Sequence, residues 1–203
     1  MRRPRALARR AAMLTAGLAM LAGLASPPAC AAGQGAHAIV IDPGVQRSVQ
    51  AVRLPAVQLQ QASDARFMPL SAALEDGGPI VVTFVYTGCT TLCPMTSRTL
   101  ATVQERAGKA RLALRIRSIS LDPEQDTARR LRDYAAQFGA GPAWEHYTGE
   151  YPQILQVERA FGVDRGDKMN HAAAIFVRRA GARDWVRLDG TVTPADVMKE
   201  LRS

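Results

Sequence analysis

Cysteine and histidine are scarce in this chain, with three of each among 203 residues, so any thiol or imidazole chemistry rests on a few identifiable positions. Aromatic residues reach only 5%, and no basic stripe is interleaved with them, which excludes a nucleic-acid surface of the usual kind. No internal repeat or low-complexity block is present, and the length suits one ordinary domain plus a leader rather than two large domains. The apolar run at residues 11–25 is shorter than the ~20 residues that a membrane-spanning helix needs. Acidic residues are absent from residues 1–31, whereas Arg2, Arg3, Arg5, Arg9 and Arg10 are all basic. With Ala29-Cys30-Ala31 as a small-x-small cleavage site, residues 1–31 read as a secretory signal peptide. Retention as a membrane anchor, export by the twin-arginine route through Arg9-Arg10 and lipidation at Cys30 are the variants.

Cleavage after Ala31 removes five arginines, lowering the formal charge from +8 to +3, and it removes Cys30. Cys89 and Cys93 are then the remaining pair. In an oxidising compartment such a pair forms a disulfide or holds a soft metal, and a bacterial periplasm suits both the leader and the dithiol.

Residues 32–53 are rich in Gly, Ala and Gln and read as a flexible lead-in, with the packed domain at 54–203. Val57-Gln58-Leu59-Gln60 alternates like a short strand, and Phe67-Met68-Pro69-Leu70 is its expected hairpin partner, followed by a helical turn at 71–75. Residues 79–86 are β-branched and aromatic almost without interruption, which marks a strand buried on both faces. Pro94 then suits the first turn of a helix over 94–107, with Met95, Leu100 and Val103 as its apolar positions and Gly108 as its stop. A strand with one exposed face is expected over 111–117, continuing to Leu121. The next helix is capped by Asp126, carries Leu131, Tyr134, Ala135 and Phe138 on one face, and stops at Gly139. Trp144-Glu145-His146-Tyr147 reads as a short strand, 152–161 as a helix, 172–177 and 185–188 as a strand hairpin, and 194–201 as a final helix.

Strands and helices thus alternate, with two thiols where the buried strand turns into a helix. The fold class is α/β and thioredoxin-like: a central mixed sheet flanked by helices, with an N-terminal strand and hairpin extension. At the junction, backbone N–H groups and the helix dipole favour thiolate over thiol. Spacing i, i+4 lets both sulfurs face one point, and both a disulfide and chelation are allowed. Three residues between the cysteines, rather than two, argue against routine thioredoxin chemistry. Two thiolates alone leave a soft ion such as Cu(I) or Cu(II) short of donors, and an imidazole is the usual third. His37 lies in the lead-in and His146 in a strand, both as structural or incidental residues. His171 instead precedes a strand, at the loop that approaches the dithiol in a thioredoxin-like fold.

Three blocks carry a family resemblance: Phe84-Val85-Tyr86-Thr87-Gly88-Cys89 through Cys93-Pro94, then Ser120-Leu121-Asp122-Pro123-Glu124-Gln125-Asp126-Thr127, then Asn170-His171 before a strand. In that order they resemble the signatures of the Sco/SenC family, over residues 54–202. The resemblance implies a thioredoxin-like copper-binding protein that helps deliver copper to the dinuclear copper A site of cytochrome oxidase. It implies copper ligands at Cys89, Cys93 and His171, and it also implies a thiol-disulfide reductase role toward partner cysteines. Thr90-Thr91-Leu92 stands where members often carry Pro-Asp-Val, and Asn170 where Asp is common; neither difference touches a donor atom, but both bear on the partner.

Asp122 and Asp126 read first as a turn and a helix cap, and second as residues that tune cysteine acidity or contact a partner. Met95 and Met169 flank the proposed site; Met95 is assigned to the core and neither is taken as a ligand. Trp144 and Trp185 read as packing residues. Whether the chain is an enzyme stays open, because a reductase would use Cys89 as nucleophile and Cys93 as resolving thiol without metal. A peroxidase lacks an identifiable arginine and hydroxyl beside the cysteine, and a purely structural disulfide would close too short a loop to stabilise much.

Overall fold

The computed structural model describes residues 44–75 and 77–202. The leader, Cys30, His37 and the first part of the lead-in lie outside the described residues. Among the described residues, eight strands form one sheet in the order β1-β8-β7-β4-β5-β6-β2-β3. They are β1 (Gln46–Gln50), β2 (Gln58–Gln61), β3 (Phe67–Pro69), β4 (Ile80–Val85), β5 (Arg115–Ser120), β6 (Trp144–Thr148), β7 (Ala174–Arg178) and β8 (Trp185–Asp189). The helices are α1 (Leu70–Leu74), α2 (Leu92–Lys109), α3 (Ala128–Gln137), α4 (Tyr151–Phe161) and α5 (Pro194–Arg202), with a single 3-10 turn at Lys168–Asn170. No helix among them is long and apolar enough to cross a membrane.

Strands β4, β5 and β6 run parallel, and β7 and β8 complete one side antiparallel. Every residue of β4 is buried, as its β-branched run requires in the sheet centre. Ile80, Val82 and Phe84 join a cluster with Ile154, Val157 and Phe161 of α4, while Val81 joins Leu100 and Val103 of α2 and Val197 and Leu201 of α5. Each fully buried side chain of this kind contributes about 1.5–3 kcal/mol through removal of apolar surface from water. Phe84, Phe161 and Phe176 meet edge-to-face, with centroids 5.0 to 6.0 Å apart. Trp144 and Trp185 are buried packing residues, as expected.

Four expectations change. The domain begins before Leu54, because the polar segment Gln46–Gln50 forms β1 against β8. It is held there by Arg47, whose guanidinium donates to both carboxylate oxygens of Glu200 on α5 at 2.8 and 3.0 Å. Helix α2 starts at Leu92 and runs past Gly108 to Lys109, and the chain leaves it through Arg111 at φ 53°. Met95 is 57% exposed rather than core; it lies five residues from Leu100, about 140° round the helix, off the buried stripe. Strand β5 begins at Arg115 rather than Arg111; Arg115 and Arg117 stay half-buried on one face, whereas Ser118–Ser120 are buried on both.

Candidate functional site

Topology brings the sequence-separated segments together. The C-terminal ends of β4 and β5 lie side by side because these strands pair in parallel, and β7, antiparallel to β4, begins at that same end. The edge of an open α/β sheet beyond the strand carboxyl ends is where such folds place their sites. Here the dithiol follows β4, the aspartate block follows β5 and His171 precedes β7.

Cys89 and Cys93 are free thiols, 7% and 1% exposed. Cys89 sits two residues before Thr91, the N-cap of α2, and the Thr91 side chain makes no capping bond. The Cys89 sulfur takes that place, accepting the Cys93 amide at 3.3 Å. A thiolate at this position neutralises part of the helix dipole. Burial pushes the Cys89 thiol up, but hydrogen bonds led by those from the Cys93 and Thr91 amides outweigh it, holding the group below the ordinary thiol range. Cys93 moves the other way: burial foremost, then Cys89 and the charge of Asp126, push its thiol far up.

His171 is 7% exposed, and its Nε2 lies 4.0 Å from Cys93 Sγ. Burial lowers the imidazole below its ordinary value, partly offset by the Lys168 backbone, so the ring is neutral near pH 7. A metal–sulfur bond of about 2.3 Å and a metal–nitrogen bond of about 2.0 Å span at most about 4.3 Å, so a separation of 4.0 Å has room for one ion between these donors. The donors are soft or borderline, which suits copper. Tyr86 packs edge-on against His171 with ring centroids 5.9 Å apart, and its hydroxyl donates to Met169 Sδ at 3.3 Å. Burial, followed by Cys89, pushes the Tyr86 phenol up to about 12.

The two aspartates hold these segments in place. Asp126 is fully buried and does not cap α3; Thr127 does, accepting the Arg130 amide on its hydroxyl. Asp126 instead accepts from the Thr87 amide at 3.1 and 3.2 Å, the Thr87 hydroxyl at 2.6 Å and the Ser120 hydroxyl at 2.7 Å. It therefore fixes the residue two positions before Cys89 to the end of β5. Asp122 pairs with Lys168 at 2.6 Å and so ties the 3-10 turn before His171 to the same strand end. Thr87, Ser120 and Lys168 have roles that sequence reasoning missed. Thr87 and Ser120 stood inside the quoted motifs, whereas nothing local marked Lys168.

His146 does not join the site. It is 1% exposed in β6, stacked on Trp144 with centroids 5.5 Å apart. A polar cleft of about 290 Å³ opens beside His171, with Asp122, Glu158 and Lys168 among its walls. Burial, and then Asp164, push the Glu158 carboxyl up to about 7. On the α2 side an apolar groove of about 550 Å³ runs along Leu92, Met95, Ala172 and Val192.

A mixed sheet, helices on both faces and a dithiol at the first strand-to-helix junction of the central strand define a thioredoxin-like domain. The chain belongs to the SCO1/SenC family, whose model matches residues 61–203. A SCO1 protein homolog of Bacillus subtilis (strain 168) is 31% identical over 67 residues, 32% of this chain and 35% of that relative, so the matched stretch spans about a third of the relative's length. A SCO1/SenC family lipoprotein from Bacillus anthracis str. Ames superposes with TM-score 0.65 at 21% identity, over 76% of this chain and 96% of that one. BsSco, a member of the Sco family of cytochrome c oxidase assembly proteins in which a disulfide switch is identified, superposes with TM-score 0.63 at 20% identity, over 76% and 94%. Arabidopsis thaliana ScoI with copper bound gives TM-score 0.58 at 22% identity, over 71% and 95%.

Proposed function

We propose that this protein is a copper metallochaperone of the bacterial periplasm that delivers copper to a copper A type site during cytochrome oxidase assembly. The observation that carries the reading is the approach of Cys93 Sγ to His171 Nε2 at 4.0 Å, with the Cys89 sulfur on the Cys93 amide at the same sheet edge, although among the described residues the three donors do not form a closed metal cluster. Copper is cargo in this scheme: reduced Cys89 and Cys93 and the His171 imidazole hold one ion, and it leaves by ligand exchange to a receiving protein. The raised Cys93 thiol gives up its proton to solvent as the metal arrives, since a bound cation makes the thiolate the stable form. Asp126 and Asp122 act by holding the Cys89 loop and the His171 loop. Family membership and a copper-bound relative of the same fold support the cargo. The basic, acid-free leader supports export, with cleavage, retention or lipidation at Cys30 as its possible fates.

Anaerobic copper titration of the reduced protein tests this. Wild type takes one ion, and the Cu(II) form shows strong thiolate-to-metal charge-transfer absorption. Cys89→Ala, Cys93→Ala and His171→Ala each bind several kcal/mol more weakly, roughly the loss of one donor from a three-donor set. Equal affinity in wild type and His171→Ala removes the imidazole from the site.

A second reading is favoured by the opposed shifts of the two thiols. A thiol held low at the helix start beside one pushed up by burial is the arrangement of a nucleophile and a resolving group. Cys89 thiolate would attack a partner disulfide and form a mixed disulfide. Cys93 would then lose its proton and displace the partner's second sulfur, leaving a Cys89–Cys93 disulfide and two partner thiols. Metal-free disulfide turnover that survives His171→Ala and is lost in both cysteine variants makes redox the function.

A further inference from the structure

The three donors are almost sealed, at 7%, 1% and 7% exposed for Cys89, Cys93 and His171, whereas a cargo ion has to arrive and leave. One soft donor stands outside them. Met169, two residues before His171, is 69% exposed, the most exposed of the large apolar side chains among the described residues. Its backbone is fixed, because its amide donates to Asp167 Oδ1 at 2.8 Å. Its sulfur is fixed as well, because the Tyr86 hydroxyl donates to it at 3.3 Å while the Tyr86 ring lies against His171. A packing methionine would turn its thioether inward; this one is held at the surface by a phenol that also touches the site. A thioether sulfur has two lone pairs, and the Tyr86 proton engages one.

We propose that Met169 is an exchange ligand for Cu(I), taking the ion at the mouth of the site and passing it to and from Cys89, Cys93 and His171. The proposal rests on the copper reading above. Thioethers select Cu(I), carry no proton to lose and bind less strongly than thiolates, which are the properties of a donor that must let go. Each hand-over exchanges one dative bond for another with copper remaining Cu(I), so no oxidant or reductant is needed. Met95, exposed on α2 with no hydrogen bond to Tyr86, has the same chemistry without the placement.

The test uses the reduced full chain under anaerobic conditions with Met169→Leu, which keeps the bulk and removes the sulfur, and Met95→Leu beside it. Expected is Cu(I) transfer from Met169→Leu to bicinchoninate slowed by about fivefold or more, with equilibrium affinity within about twofold of wild type and Met95→Leu unchanged. A second readout needs no loaded copper site. In Cys89→Ser/Cys93→Ser protein with carbon-13 methionine methyls, Ag(I), a redox-inert stand-in, shifts the Met169 methyl resonance and leaves Met95 in place. Wild-type transfer rates in Met169→Leu, or a Met169 methyl that Ag(I) does not move, overturn the assignment while the three-donor site stands. Absence of Cu(I) binding by reduced wild type overturns both.

Discussion

Substitution of Asp126 tests the idea that a buried carboxylate, rather than local loop sequence, holds the dithiol segment. Its oxygens face three donors, the Thr87 amide, the Thr87 hydroxyl and the Ser120 hydroxyl, and the side chain has no solvent exposure to soften a loss. Asp126→Asn keeps one oxygen. If that oxygen serves Thr87, the new NH₂ faces Ser120 Oγ, which already accepts the Asp122 amide at 2.9 Å and would have to turn its own proton away. One charge-assisted bond is then lost and one buried hydroxyl stranded, for about 1.5–3 kcal/mol. Asp126→Ala strands all three donors and leaves a void, for about 3–5 kcal/mol. Urea unfolding of the reduced protein measures this. The midpoint falls in the order wild type, Asn, Ala with an unchanged slope. An Ala variant within about 1 kcal/mol of wild type, or more stable than Asn, refutes the reasoning, because it would mean that the Thr87 segment is held by something else.

Three further outcomes follow from the same geometry. Iodoacetamide at neutral pH should modify Cys89 at least about tenfold faster than Cys93, as read by peptide mass spectrometry, and equal rates would contradict the opposed thiol shifts. Burial lowers the His146 pKa to about 4, so between its unfolded value and pH 4 the unfolded chain binds the extra proton and stability falls as pH falls. The loss amounts to roughly 3 kcal/mol by pH 4. Glu158, raised to about 7, acts in the opposite sense, losing stability as pH rises, so the His146 slope is read as the difference between wild type and His146→Gln across pH 7 to 4; parallel curves would contradict it. Lys168→Met should cost about 1 kcal/mol or less, because the lysine is 38% exposed. It should nonetheless speed hydrogen exchange of the His171 amide, which is bonded to the Lys168 carbonyl, and unchanged exchange would separate the Asp122 pair from the loop.

Legibility followed the range of the interactions. The uninterrupted apolar run of β4, the helix of α4 and the hairpin of β7 and β8 were readable because their signals lie within one element. Strand β1 was not: its sequence, Gln-Arg-Ser-Val-Gln, has no apolar period, and it is a strand because β8 pairs with it and Glu200, 153 residues away, holds Arg47. Met95 reads as core by its apolar side chain, yet its spacing from Leu100 sets it on another, exposed face of α2. Asp126 in front of Thr127 has the local look of a cap, but its bonds go to Thr87, 39 residues back.

Residue type and spacing alone carry the dithiol, its place at a strand-to-helix junction, the third donor candidate at His171 and the family resemblance. Tertiary structure decided that β7 runs antiparallel to β4 and so brings His171 to Cys93, that Cys89 rather than Thr91 caps α2, that Asp126 and Asp122 strap the two loops, and that Met169 stands exposed against Tyr86. The physical reason is that side-chain periodicity is encoded locally, whereas which segments meet depends on strand direction and order, and those are fixed only when the whole sheet closes on its core.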